Sequence, residues 1–121
     1  MCHYALAPGG VWQQLALFGT SNLNNAPCMI EGQFGATAEL DFGNFELCVA
    51  HDGEIQHWFR DNHGSQAWYQ TATFGQGITR VVALLESSFG FDLEVIAQTF
   101  DGHHQHFWRD ASGWNTGVTI N

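Results

Sequence analysis

The sequence predicts an all-β chain made of repeated antiparallel units. The first observation behind this expectation is an internal repeat. Gly53-Glu54-Ile55-Gln56-His57-Trp58-Phe59-Arg60-Asp61 returns about fifty residues later as Gly102-His103-His104-Gln105-His106-Phe107-Trp108-Arg109-Asp110, with five of nine positions identical and the aromatic pair swapped. A period of this length marks supersecondary units that stack on one another. The second observation is order, because the flanking segments recur in the same sequence. Phe45–Ala50 corresponds to Asp92–Ala97, with Glu46 matching Glu94; Met29–Gly35 corresponds to Ala83–Gly90, and Ala67–Phe74 to Gly113–Ile120. The third is punctuation. Asp52-Gly53, Asn62-His63-Gly64, Asp101-Gly102 and Ser112-Gly113 interrupt apolar runs at short intervals, as hairpin turns do. No sustained 3.6-residue period announces a helix.

Taken in chain order, His3-Tyr4, Pro8-Gly9-Gly10 and Trp12–Phe18 fit only the third and fourth segments of the unit. Residues 1–26 therefore read as half a unit, 27–75 as a whole one and 76–121 as another, about two and a half in all. Phe45, Leu47 and Val49 alternate with Glu46, Cys48 and Ala50, and both faces are largely apolar or small, as in a strand held between layers. Val81–Glu86 is ambiguous by period; its match to Cys28–Gly32 and its β-branched start make it a strand. Ala36–Gly43 has no counterpart in the later unit, where Gly90 runs directly into Phe91-Asp92-Leu93, so it reads as an inserted loop between first and second strands. Thr20–Ala26 and Gly75–Thr79 connect one unit to the next. Four short antiparallel strands repeated in this way describe a β-propeller blade. Repeat architectures need about three or more units to bury a continuous core. A partial propeller completed by oligomerisation is the expected outcome.

The length, 121 residues, suits one domain. There is no lysine, and Arg60, Arg80 and Arg109 face twelve carboxylates for a formal charge of −9. Such a surface repels nucleic-acid phosphates and anionic membranes. No apolar run approaches a membrane span, and the N-terminus lacks the basic region and apolar stretch of a signal peptide. The expected location is the cytoplasm, with release by lysis or an unconventional route compatible with the sequence. Cys2, Cys28 and Cys48 are odd in number and occupy no repeated slot, so no disulfide framework is expected. Cys48, aligned with Ile96, reads as a small apolar strand residue.

Glu46 and Glu94 lie mid-strand among apolar neighbours, where an unpaired carboxylate is costly. Arg60 and Arg109 recur one strand later, and the expectation is a repeated cluster in which each arginine fork bridges the Glu and Asp carboxylates. Because both copies keep the same residues, the cluster reads as structure, and no catalytic residue is assigned. Trp12, Trp68 and Trp114 recur at the start of the fourth strand, while Trp58 and Trp108 stand next to the Arg-Asp pairs. Tryptophans at these positions serve either packing between units or the apolar faces of sugars. His3, His57 and His106 share one slot and read as hydrogen-bonded strand residues. His104 and His106 could face the same way on a strand, but their spacing matches no established zinc pattern. No metal site, cofactor or enzymatic motif is expected: the chain has no nucleophile elbow and no Gly-rich phosphate loop.

These residues carry a resemblance. Segments of the form Phe-Glu-x-x-Val, then Gln-His-aromatic-aromatic-Arg-Asp, then Trp and a Phe-Gly, resemble the repeat of bacterial β-propeller lectins of the Photorhabdus-lectin-like group and of related propellers with tryptophan-arginine-aspartate repeats. The resemblance spans the chain from His3 onward and implies a carbohydrate-binding module. It suggests that Trp68 and Trp114 line equivalent inter-blade pockets for a neutral sugar, together with Trp58, Trp108 and the hydrogen-bonding Arg60 and Arg109. The competing expectation is a self-assembling scaffold without a small-molecule ligand. Either way the expected partner is a second copy of the chain, joined through Cys2–Leu6, Trp12–Phe18 and Trp114–Ile120, with glycans as the additional ligand in the first case.

Overall fold

The computed structural model describes residues 1–19, 23 and 25–121. The described residues hold ten strands and no helix: β1 (Cys2–Ala7), β2 (Val11–Leu17), β3 (Cys28–Glu31), β4 (Phe45–His51), β5 (Glu54–Arg60), β6 (Trp68–Phe74), β7 (Ile78–Glu86), β8 (Leu93–Thr99), β9 (His104–Asp110) and β10 (Gly113–Ile120). They form three antiparallel sheets, β1-β2, β3-β4-β5-β6 and β7-β8-β9-β10, each strand pairing with its sequence neighbour. Val81–Glu86 is strand, as its β-branched start suggested, and Ala36–Gly43 lies in the long β3–β4 connection. Residues 20–22 and 24 of the first inter-unit connection lie outside the described residues.

The pairing register makes the repeat explicit. Phe45 pairs with Arg60 and Glu46 with Phe59, while Leu93 pairs with Arg109 and Glu94 with Trp108. Glu46 and Arg60 thus occupy the same places as Glu94 and Arg109. Trp12, Trp68 and Trp114 pair with Leu6, Arg60 and Arg109, so all three tryptophans share one site, and the first sheet carries leucine where the others carry arginine. Each sheet also bulges at the same point between its last two strands, next to His3, His57 and His106; the extra residues are Leu15, Thr71 and the Gly117-Val118 pair. A bulge re-aims the side chains around it, and here it recurs beside the repeated histidine.

Turn chemistry explains the hairpins. Asp52 and Gly53 both have positive φ (51° and 82°), the type I′ geometry whose twist matches the flanking strands. The other Asp-Gly pair closes a longer loop, in which the Thr99 amide donates to the His103 carbonyl and the Gly102 amide to Thr99. In the β5–β6 loop Asp61 accepts from the amides of His63, Gly64 and Ser65, and in the β9–β10 loop Asp110 accepts from Ser112. The repeated aspartate is therefore a turn former.

Apolar side chains leave both faces of the middle sheet, as its two-sided apolar strands required. Leu47, Val49, Trp58 and Trp68 pack toward Ala16 of the first sheet and toward Met1 and Phe18, which flank its strands. On the opposite face Cys48, Ala50 and Ile55 meet Ile78, Val81, Leu84, Val95 and Phe107 of the third. The sheets stack in chain order with one apolar layer between each pair. Each fully buried Ile or Val in these layers contributes about 1.5–3 kcal/mol.

The expected Glu-Arg-Asp cluster does not form. Side chains alternate along a strand, so Arg60, opposite Phe45, lies on the Trp58 face, whereas Glu46 shares the His57 face. Glu46 Oε2 lies 2.7 Å from His57 Nε2, with both residues buried. Arg60 instead donates to the Asn62 side chain (2.7 Å) and to the Gln66 side chain (2.8 Å) and carbonyl (3.2 Å). The carboxylate and the guanidinium are on opposite sides of one sheet, and histidine is the partner that parity allows.

Candidate functional site

Two repeated environments use the predicted site residues. The first is an aromatic slot between successive sheets. Trp68 of the middle sheet stacks on Phe18 (4.4 Å, 6°) and meets the His3 ring edge-on (5.8 Å). Trp114 of the third sheet repeats this, stacking on Phe74 (4.0 Å, 11°) and meeting His57 edge-on (5.3 Å). In each case a tryptophan that opens a fourth strand enters a slot made by the histidine and terminal phenylalanine of the preceding sheet. The histidine is held in place from below. His57 Nε2 bonds Glu46, and its Nδ1 lies 2.8 Å from the Thr71 hydroxyl on the bulge. In the third sheet Glu94 is 3.3 Å from His106 and both are partly exposed. Trp58 is also buried, donating its Nε1 to Gln56 at 3.3 Å and lying 5.5 Å from the Phe18 ring.

Trp108 lies apart from these slots, stacked at 5.9 Å on His106 of its own strand. The structure thus places Trp58, Trp68 and Trp114 in the layers between sheets, Trp108 on the far face of the third sheet, and Arg60 in the β5–β6 loop network. Of this set, Trp68 edges an apolar cavity beside the first sheet, and Arg109 opens onto a polar cleft.

That cleft, the second environment, lies between the middle and third sheets. It has a volume of about 200 Å³ and is lined by Phe34, Glu86, Phe91, Asp92, Arg109 and Asp110, among others. The Arg109 guanidinium carbon sits 5.3 Å above the Phe34 ring, within cation–π range. Unlike that of Arg60, the Arg109 side chain makes no hydrogen bond among the described residues, and every ion pair among them involves a histidine. Glu86 bridges the two sides by accepting the Gln33 amide at 2.7 Å. Phe34 and Phe91 expose 57% and 63% of their surface, enough to offer flat apolar faces to a ligand. Phe91 has φ 58°, a left-handed conformation that costs a bulky residue about 1–3 kcal/mol and that the turn between β7 and β8 imposes. Asp110 is held below the usual carboxylate range, first by the Ser112 hydroxyl and then by its amide, which favours an anionic acceptor at the rim. Phe34 and Phe91 escaped sequence reasoning because both lie in loops, and the repeat match pairs Phe34 with Phe89, not with Phe91. Their one signal was that both sit in the connections where the two units differ.

A second cavity of about 330 Å³ lies by the β4–β5 turn, lined by Asn25, His51, Asp52, Thr79 and Phe100, among others. It contains no arginine or lysine. Comparison with known protein families, with characterised proteins and with solved structures finds no match.

Proposed function

We propose that the three sheets are β-propeller blades and that the chain is a carbohydrate-binding propeller module. The observation that supports this most is the Arg109 cleft. A sugar presents C–H faces and hydroxyls, so its site needs flat apolar surface together with convergent donors and acceptors. Phe34 and Phe91 supply the first, the uncommitted Arg109 guanidinium the donors, and Asp92 and Glu86 the acceptors. Three carboxylates around one guanidinium favour a neutral, hydroxyl-rich ligand over an anionic one. Titrating neutral mono- and disaccharides by calorimetry tests the reading. Saturable binding that Arg109→Ala and Phe34→Ala each weaken supports it; no heat with any sugar on a broad glycan panel refutes it.

A self-assembling scaffold is the second reading, favoured by the two end faces. In the middle and third sheets the face bearing Trp68 or Trp114 packs on the preceding sheet. The same face of the first sheet exposes Tyr4, Leu6, Trp12 and Leu17, at 51–74%. On the third sheet the slot that would receive a following tryptophan, between His106 and Ile120, is open, with Ile120 45% exposed. The Trp12 face of one copy is the counterpart of the His106 face of another. Such a head-to-tail contact closes into a ring when its rotation permits, and exposed apolar patches of this size are rare on monomers.

A further inference from the structure

The third strand of each larger sheet has neighbours on both edges: β5 lies between β4 and β6, and β9 between β8 and β10. Their equivalent, β1, pairs among the described residues with β2 alone. An unpaired edge presents backbone N–H and C=O groups to any further strand. Beside this edge lies a largely apolar cavity of about 340 Å³, lined by Met1, His3, Phe18, Met29, Leu47 and Trp68, among others. The two complete sheets show what fills the corresponding space. There the second strand sets a glutamate against the histidine of the third, Glu46 against His57 and Glu94 against His106. His3 has neither of the partners that His57 has. Leu15 stands at the bulge position from which Thr71 reaches His57, and among the described residues no strand brings a carboxylate to His3 and its buried Nδ1 has no hydrogen bond.

We propose that the β1 edge and this cavity form an acceptor site for a β-strand from a partner. The strand that fits resembles β4 and β8: an extended segment with a glutamate flanked by apolar residues, docked antiparallel to β1. Its glutamate precedes by two residues the position opposite His3, since Cys48 lies opposite His57 and Ile96 opposite His106. Backbone pairing with β1 supplies affinity, while the cavity and His3 select the side chains, as in other cases of strand addition. This inference rests on the equivalence of the sheets as blades and is independent of sugar binding.

The probe is a synthetic peptide with the sequence of Asp92–Phe100, extended by C-terminal lysines for solubility and read by fluorescence anisotropy against the full chain. Binding should saturate. A peptide with Glu94→Leu should bind at least about tenfold more weakly, the usual cost of losing a charged hydrogen-bond partner. In the chain, His3→Leu should abolish that discrimination, and Met29→Asp, which charges the cavity, should weaken both peptides. Trp12→Asp lies on the other face of the β1-β2 sheet and should leave peptide binding intact even where it abolishes self-association. Failure of the ring and failure of this site therefore give different results. No saturable binding at millimolar peptide, or equal binding of both peptides unaffected by Met29→Asp, overturns the proposal.

Discussion

Replacing His57 by leucine isolates the most demanding interaction in the molecule. Glu46 is 0% exposed and His57 1%, and the 2.7 Å contact between them gives the carboxyl its hydrogen bond; Glu46 Oε1 has none. Removing one partner of such a buried pair costs about 3–5 kcal/mol, because the other is left desolvated and uncompensated. That is a large share of the roughly 5–15 kcal/mol that holds an ordinary domain together. For a chain of this size the thermal midpoint should fall by roughly 10–20 °C. The exposed equivalent gives the contrast. His106 and Glu94 are 3.3 Å apart at 24% and 36% exposure, and pairs in that setting contribute about 0–1 kcal/mol, so His106→Leu should scarcely shift the midpoint. The double variant His57→Leu/Glu46→Met should recover most of the loss, since apolar replacement of both partners of a buried pair is often neutral. Guanidinium unfolding at one fixed protein concentration, followed by tryptophan fluorescence, measures all three. A His57→Leu loss below about 1 kcal/mol, or a double variant no better than the single, would refute this account of the pair.

The other predictions concern the arginines, a crowded glycine and pH. Arg60→Ala removes three hydrogen bonds to Asn62 and Gln66 and should destabilise the chain by about 1–2 kcal/mol, whereas Arg109→Ala, which loses none, should change the midpoint little; equal losses in a melting comparison would contradict this. A Cβ on Gly43 would fall 2.3 Å from the Gly32 carbonyl oxygen and 2.6 Å from that of Phe34, so Gly43→Ala should cost about 2–3 kcal/mol by denaturant titration and open the base of the β3–β4 loop. Acid should destabilise the fold in two stages. His3 is lowered from its usual value by burial and then by Arg60, so the stability its neutral form contributes is lost as pH falls below about 6.5. Asp61, Asp101 and Asp110 are lowered mainly by the Ser65 amide, the Thr99 hydroxyl and the Ser112 hydroxyl, so their contribution is present above about pH 4 and lost below it; the triple Asn variant should flatten that lower limb of the pH–stability curve.

Much of this fold was legible because a repeat tests itself. The match of Gly53–Asp61 to Gly102–Asp110 put β5 and β9 in equivalent places, and the identification of Val81–Glu86 as strand depended on alignment where its own period was ambiguous. What escaped was which face each residue takes. Glu46 and Arg60 looked like partners because both recur, yet strand alternation sends them to opposite sides of the sheet and selects His57 instead. The bulge beside His57 had no signal of its own, since Leu15, Thr71 and Gly117 share no side-chain chemistry. The cleft was hidden for another reason. Its aromatic walls come from connections of unequal length: the repeat alignment sets Phe34 on Phe89 and leaves Phe91 unmatched, so it gives no sign that Phe34 and Phe91 meet.

The two end faces of the stacked sheets match each other but not water. Multi-angle light scattering of the chain at micromolar concentration, beside Trp12→Asp, tests this most directly. The parent should run as a homo-oligomer of defined mass, and Trp12→Asp, whose charge cannot enter the slot between His106 and Ile120 of a neighbour, should fall to the monomer. A parent chain that is a stable monomer with the exposed Tyr4, Leu6, Trp12 and Leu17 face uncovered would contradict it.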